Sequence, residues 1–346
     1  MTDLNKRVII VGAGIIGSSI AYHLSQEHFQ VTVIEKNQPA SAATGSAFGW
    51  LTAAVEETAN DLPLRKIALT DWHRLEQEIP DLTIRWNGSI QYTRDIKHYR
   101  AGESALQQHE IRELEPSLHS PPHYARFMPV DGSIDAKEAT LTLLEAACRQ
   151  GATLLSHTLV SGFIFENNKI VGVKSSQGTL EADYIVLACG IDIPTLANTI
   201  NQKVPVLSSP SILLRFNSPQ HVVNRIISCN DFEIRHARNG DLLAAEDYLS
   251  DKSLTDIATE AKKLIQQNLA HTQTISLQQQ SIGYRPIPED QCPIIGFIES
   301  TQPVYVAVMH PAVTCAASIG RLVCEHLKTG IQPQILNKYH PNRFNA

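Results

Sequence analysis

The stretch Lys6–Glu35, KRVIIVGAGIIGSSIAYHLSQEHFQVTVIE, decides the fold. A charged lead-in opens an apolar run, Val8–Val11, that reads as a buried strand. Gly12-Ala13-Gly14-Ile15-Ile16-Gly17 follows, then an apolar helical stretch through Leu24, then a second strand, Val31–Ile34, ended by Glu35. This is G-x-G-x-x-G in a full strand–turn–helix–strand–acid setting, the fingerprint of a dinucleotide-binding βαβ unit. Each part has a physical task. Gly12 permits the tight turn out of the strand, Gly14 lets the backbone approach a pyrophosphate, and Gly17 lets the helix pack on the sheet. The helix N-terminus, at Ile15 and Ile16, offers free N–H groups and a positive dipole end to phosphates. Glu35 lies 18 residues after Gly17, where a carboxylate binds a ribose 2′-OH and repels a 2′-phosphate. NADP is therefore disfavoured, while NAD and FAD both remain open on this segment.

Outside that stretch, composition narrows the class. A length of 346 residues suggests two domains, or one with a large elaboration. Hydrophobic residues make up 43% and charged residues 18%, enough for an ordinary globular core. The net charge of −6 and the lack of a long basic run argue against nucleic acid as a partner. Cys148, Cys189, Cys229, Cys292, Cys315 and Cys324 form neither C-x-x-C nor a Cys/His zinc spacing. They read as reduced thiols of a cytoplasmic protein, with no metal site. No secretory signal and no transmembrane segment are expected, because no apolar run approaches the roughly 20 residues a spanning helix needs.

A small-residue loop, Pro39–Gly49, follows Glu35 and suits close approach to a ligand. Glu56-Glu57 reads as solvated helix surface. Leu64, Ile67, Ala68, Trp72, Leu75 and Ile79 recur at helical spacing until Pro80 stops them. Arg85–Tyr92 reads as a strand or hairpin turning at Asn87-Gly88. Asp135 is expected to cap a helix running to Gln150. Strand signals then recur up to ADYIVLACG (Ala182–Gly190), a continuous apolar strand of the kind buried on both faces. Residues 204–249 are strand-rich, and 251–280 read as polar helix. Turns around short strands are expected at Gly283–Pro288 and Cys292–Gly296. A strand at Val304–Met309 and a helix at Ala316–Lys328, closed by Gly330, end the pattern. The expected fold class is α/β, α+β overall. A Rossmann-like domain is assembled from residues 1–80, 135–202 and 284–346, and a mostly antiparallel β-sheet substrate domain is inserted as 81–134 and 203–283.

At this point the chain resembles the D-amino-acid oxidase, glycine oxidase and sarcosine oxidase family of FAD-dependent oxidoreductases. The likeness rests, in order, on VIIVGAGIIGSSIAYHL with Glu35, SAATGSAFGW, VDGSIDAKEATLTLL, ADYIVLACG, GYRPIPEDQCPIIG, VAVMHPAVTCAASIGRLVCEHLKTG and KYHPNRF. It favours FAD over NAD. It implies that Gly12, Gly14 and Gly17 cradle the pyrophosphate, with Glu35 and the adjoining Lys36 at the adenosine ribose. Thr44, Gly45 and Ser46 would pass along the pyrophosphate and flavin, the backbone of Val160 would meet the adenine, and Cys189 and Gly190 would lie beside the cofactor. The turn His310–Thr314, with Ala312, Val313 and Thr314, and the helix N-terminus behind it would face the flavin pyrimidine ring. Arg285, in the G-x-R-P position, would bind a substrate carboxylate, unless it pairs with Glu289 or Asp290 instead.

The chain departs from that family in two places. The flavin-facing turn, usually glycine-rich, is His310-Pro311-Ala312-Val313. No cysteine stands near Arg285 where the sarcosine-oxidase branch links covalently to flavin, so noncovalent FAD is expected. His310 either binds substrate, tunes the flavin or is structural. Arg215 and Arg235 either line a pocket or sit on the surface. Tyr248, Tyr284, Trp50 and Phe48 either close over ligand or fill core. The implied reaction is oxidation of the C–N bond of a small amine or amino acid, of glycine, sarcosine or D-amino-acid type, by hydride transfer to flavin N5. The resulting imine hydrolyses, and oxygen or another acceptor takes the electrons. Two alternatives stay open: a flavoprotein subunit of a hetero-oligomeric dehydrogenase, and a non-catalytic flavin-binding protein. A homo-oligomer is compatible with either.

Overall fold

The structure is a computed structural model that describes residues 6–53, 59–92, 105–298 and 302–344; Glu56 and Glu57 lie outside the described residues. The N-terminal segment builds β1 (Arg7–Val11), α1 (Ile15–Gln26), β2 (Gln30–Ile34), β3 (Trp50–Leu51) and α2 (Leu62–Glu78). Next come β4 (Ser89–Gln91), β5 (Ala105–Gln107), α3 (Gln108–Leu114), β6 (Tyr124–Met128) and β7 (Gly132–Ser133). The middle segment gives α4 (Ala136–Arg149), β8 (Thr153–Leu155), β9 (Val160–Glu166), β10 (Lys169–Ser175), β11 (Gly178–Glu181), β12 (Tyr184–Leu187) and α5 (Ile193–Asn198). It is followed by β13 (Val206–Asn217), β14 (Ile226–Ser228), β15 (Glu233–His236), β16 (Leu242–Asp247), α6 (Leu254–Asn268) and β17 (Ser276–Pro288). The chain closes with β18 (Ile294–Phe297), β19 (Val304–Val308) and α7 (Ala312–Thr329).

Two large sheets organise these elements. The first has the order β18-β19-β12-β1-β2-β8, parallel except for β18. Its central strands are near-continuous runs of Val, Ile and Leu because both faces are covered. One face buries Val8, Ile10 and Val33 against α1, α4 and α7; the other buries Ile9, Val11 and Ile185 against the small β11-β10-β9 sheet and α5. This is the doubly wound arrangement, whose ligands bind beyond the carboxyl ends of the parallel strands.

The second sheet has eight strands in the order β17-β13-β16-β15-β14-β4-β6-β5. It is antiparallel except for the β14–β4 pair. One face packs Ile212, Leu214, Ile234 and Ala244 against the amphipathic α6. The other face turns toward the first sheet's loops: a Cβ added to Gly283 of β17 would lie 2.8 Å from Ser46 Cβ.

Four local expectations are corrected. Asn87-Gly88 is not a hairpin tip. Gly88, at φ +80°, turns the chain into β4, which pairs with distant β14 and β6. Asp135 occupies the N-cap position of α4 without a side-chain cap bond, since its carboxylate accepts instead from Arg235 Nη2 and the Arg238 N–H. Helix α6 ends at Asn268, and the segment read as its tail and as turns, Ser276–Pro288, is one 13-residue strand. Helix α7 starts four residues earlier than its sequence pattern, at Ala312.

Candidate active site

The glycine turn is built by sterics. Gly12 has φ +107°, and a Cβ there would lie 2.7 Å from Ala188 O at the end of β12. Gly17 sits against the turn itself, where a Cβ would lie 2.0 Å from Gly12 O. Gly14 is the N-cap of α1 and has no side chain to cap it. Thr44 Oγ1 accepts from the Ile15 N–H at 3.2 Å and ties the small-residue loop to the helix start. Glu35, after β2, accepts from the Ala13 and Asn37 N–H groups, both at 2.9 Å. These bonds hold its carboxylate at the mouth of the turn. Lys36 pairs with Asp192, which follows Cys189 and Gly190 at the end of β12. Gly45 lies in the loop wall, where a Cβ would meet Ala40 O at 2.4 Å.

All the candidate residues except Gly17 and Gly45 line one elongated cleft of about 1010 Å³. Its walls carry Glu35, Lys36, Val160 and Cys189, the turn and loop residues Gly12, Gly14, Ile15, Ile16, Thr44 and Ser46, and Arg285, His310, Ala312, Val313 and Thr314 from β17 and the start of α7. The volume is at the top of the ~300–1,000 Å³ typical of ligand pockets, as an extended dinucleotide requires. The start of α7 is held firmly. Trp72 Nε1 donates to Val313 O at 3.2 Å and Thr314 O at 2.9 Å, and Thr314 Oγ1 donates to Trp50 O at 3.0 Å. The N-terminus of an 18-residue helix, and its dipole, therefore open into the cleft.

A family model described as FAD dependent oxidoreductase (DAO) matches residues 7–326. The chain belongs to that family. The 4-methylaminobutanoate oxidase (formaldehyde-forming) of Paenarthrobacter nicotinovorans is 30% identical over 260 residues, covering 69% of this chain and 31% of that protein. The chain thus spans about a third of that relative's length. The glycine oxidase of Pseudomonas aeruginosa is 24% identical over 318 residues, covering 85% of this chain and 86% of that protein. Among solved structures, glycine oxidase from Geobacillus kaustophilus superposes with a TM-score of 0.88 at 21% identity, covering 98% of this chain and 99% of that one. L-Proline dehydrogenase from P. horikoshii superposes with a TM-score of 0.85 at 22% identity, covering 99% and 98%. The fold is therefore that of these FAD-dependent oxidoreductases. The group the family implies fits this chain: Gly12 and Gly17 sit where a Cβ would strike backbone, Gly14, Ile15 and Ile16 line the cleft at the start of α1, and one cleft holds both Glu35 and Arg285. Among the described residues no helix is long and apolar enough to cross a membrane.

The part of the cleft around Arg285 is strongly charged. Arg285 is not paired with Glu289 or Asp290. Its Nη2 donates to Ser209 Oγ at 3.0 Å and Pro210 O at 3.4 Å, and its Nε is buried without a partner. Asp290 pairs instead with Arg343 at 2.8 Å. His310 opens onto the cleft. Crowding by protein, with Arg285 and Arg65 nearby, pushes its pKa down to about 4. Its imidazole is therefore neutral near pH 7.

Six charged cleft-lining residues escaped the sequence reading: Arg65, Asp192, Asp231, Glu233, Glu246 and Asp247. Arg65 binds Asp61 at 2.7 Å and Thr52 O at 3.2 Å; its only sequence signal was the i,i+4 acid–base pair at the start of α2. Glu233 accepts from Ser228 Oγ at 3.2 Å, and burial raises its pKa. Its signal was the alternation of β15, which also carries Arg235.

Neither Arg215 nor Arg235 lines the cleft or sits free on the surface. Arg215 pairs with Asp241 at 3.0 Å. Arg235 is 3% exposed, donates to Phe48 O, His236 O and Ile134 O, and pairs with Asp135 at 3.0 Å. Phe48 and Trp50 line the cleft, and Trp50 Nε1 donates to buried Asp131 at 2.9 Å. Tyr284 stands at the cleft rim, half exposed, and Tyr248 lies outside it on the surface.

Proposed function

We propose that this chain binds FAD noncovalently and oxidises the C–N bond of a small amine or amino acid that carries a carboxylate. The observation that carries the reading is Arg285, a guanidinium that lines the same cleft as Glu35 and has most of its donors open. A planar guanidinium pairs with a carboxylate bidentately and so fixes the carbon attached to it. When bound, FAD supplies the two-electron acceptor for the C–H next to nitrogen, and the imine product hydrolyses in water.

The chain's own contribution is positioning and electrostatics. The Gly12–Gly17 turn and the α1 N-terminus hold the pyrophosphate, Glu35 the ribose, and Val160 the adenine side. The α7 N-terminus at Ala312–Thr314 supplies partial positive charge at the flavin end. Neutral His310 exchanges a hydrogen bond with substrate and adds no charge that would compete with Arg285 for the carboxylate. No acid–base pair is required when the amine binds neutral.

The test is anaerobic: the visible flavin band is followed while glycine, sarcosine, D-amino acids, D-proline and 4-methylaminobutanoate are added. Bleaching by a carboxylated amine is expected, with KM for it raised about 10–100-fold in Arg285→Ala. Acid precipitation should release the flavin into the supernatant. A band that no amine bleaches, or a KM indifferent to Arg285→Ala for every carboxylate substrate, refutes the reading.

A further inference from the structure

Register fixes what faces the substrate end of the cleft. Ser281 of β17, Leu213 of β13, Ala245 of β16, Glu233 of β15 and Ser228 of β14 form one cross-strand row. Arg285 lies four residues further along β17, opposite Ser209. Side chains alternate along a strand, so Arg285 and Glu233 share a face. That face also carries Gly283, packed on Ser46, and both charged residues line the cleft.

Among the described residues neither charge has a counter-ion. Glu233 has the Ser228 hydroxyl as its hydrogen-bond donor, and the charges coupled to it are other carboxylates, Asp247 and Glu246. Arg285 is anchored through Nη2 to two neutral oxygens. Arg65, the other arginine at this end, is already paired with Asp61.

The two charges stand too far apart for one α-amino-acid head group. Three strand spacings of ~4.8 Å and four residues at ~3.3 Å put their α-carbons about 20 Å apart. The reach of both side chains leaves a gap on the order of 7–10 Å, whereas the ammonium of an α-amino acid lies only about 3 Å from its own carboxylate. A chain of about five or six bonds spans that gap.

We propose that Glu233 is a specificity-determining residue that binds a second, distal cationic group, so that the preferred substrate is an amino acid with a terminal ammonium or guanidinium whose carboxylate pairs with Arg285. This rests on the reading of the chain as an amino-acid or amine oxidoreductase and names its substrate class. Asp247, diagonal to Glu233 on the same face, deepens the negative field. A half-buried carboxylate facing an uncharged chain end is left unpaired, which is how such a site rejects neutral analogues.

Two measurements on the FAD-loaded protein test this. In the first, anaerobic flavin reduction is compared for both enantiomers of lysine and ornithine against norleucine and norvaline, their uncharged counterparts. In the second, calorimetry compares two carboxylates of equal length, one ending in trimethylammonium and one in tert-butyl, neither of which has an oxidisable amine N–H. The cationic member of each pair should be favoured about 10–100-fold in the natural protein, and within about 3-fold in Glu233→Gln, which keeps the shape and the Ser228 bond. Equal preference in the natural protein, or a preference that survives Glu233→Gln, overturns the role of Glu233. Reduction by no compound overturns the oxidation reading instead, and the calorimetric pair then decides Glu233 alone.

Discussion

Replacing Gly17 with alanine puts one methyl where the backbone has no room for it. A Cβ at residue 17 would lie 2.0 Å from Gly12 O, 3.1 Å from Gly12 C and 3.3 Å from Ile10 Cγ2. Ordinary contacts begin near ~3.5 Å, so turn and helix must separate by about 1.5 Å. Helix α1 cannot give way. On its far side it meets α7 so closely that a Cβ on Gly320 would lie 2.3 Å from Ser19 Oγ, and that hydroxyl already donates to Ala316 O at 2.7 Å. The turn must move instead and take with it the Ala13 N–H that Glu35 holds at 2.9 Å. Overpacking of this kind lowers stability by about 1–3 kcal/mol. The cost to FAD binding is greater. Loss of two charge-assisted hydrogen bonds at about 1.5 kcal/mol each raises Kd by roughly 100-fold or more. The assay is fluorescence titration of FAD with the apoprotein, with a thermal melt of the apoprotein beside it. Gly162→Ala on β9 is the control, because a Cβ there meets nothing within 4 Å. Unchanged Kd and Tm in Gly17→Ala would refute the packing argument. A lowered Tm with unchanged Kd would refute the placing of the pyrophosphate at this turn.

Acid should destabilise the fold through His23, a buried side chain on α1. Its Nδ1–H donates to Ser19 O and its Nε2 accepts from Arg74 Nη2, both at 2.8 Å, and burial pushes its pKa down to about 4. The unfolded chain takes a proton at about pH 6.5, so this contribution is complete above that value and falls by up to about 3 kcal/mol as pH drops toward 4. Urea midpoints from pH 7 to 4.5 measure it, and a slope no shallower in His23→Gln would count against His23. Asp71 ties α2 to α7, accepting from Arg321 Nε and Nη2, both at 2.9 Å, and from Arg74 at 3.3 Å. Asp71→Ala should cost about 2 kcal/mol, since Arg321 is partly solvated and only part of the pairing is desolvated. A denaturant midpoint that does not move would show the pair to be idle.

What the sequence disclosed was what neighbouring residues decide among themselves. The β1–α1–β2 unit was legible because its glycines, its apolar runs and Glu35 all act within one turn of chain. Strand β17 was not legible as a single strand. It is the edge of its sheet, and its first half exposes Leu277, Gln278 and Gln279, so it lacks the alternation a half-covered strand shows and carries residues that also suit helices. Arg235 was hardest to read. Nothing local marks it as buried, because its partners Phe48, Ile134 and Asp135 come from remote segments. Yet that guanidinium, sunk among carbonyls of the loops around β3 and α4, ties the second sheet to those loops. It sits two residues along β15 from Glu233, on the same face. The contact that seats the sheet over the cleft thus also aims Glu233 into it. The chemistry at the substrate end is therefore a product of tertiary register, which one strand's sequence cannot carry, whereas the cofactor end is written in consecutive residues.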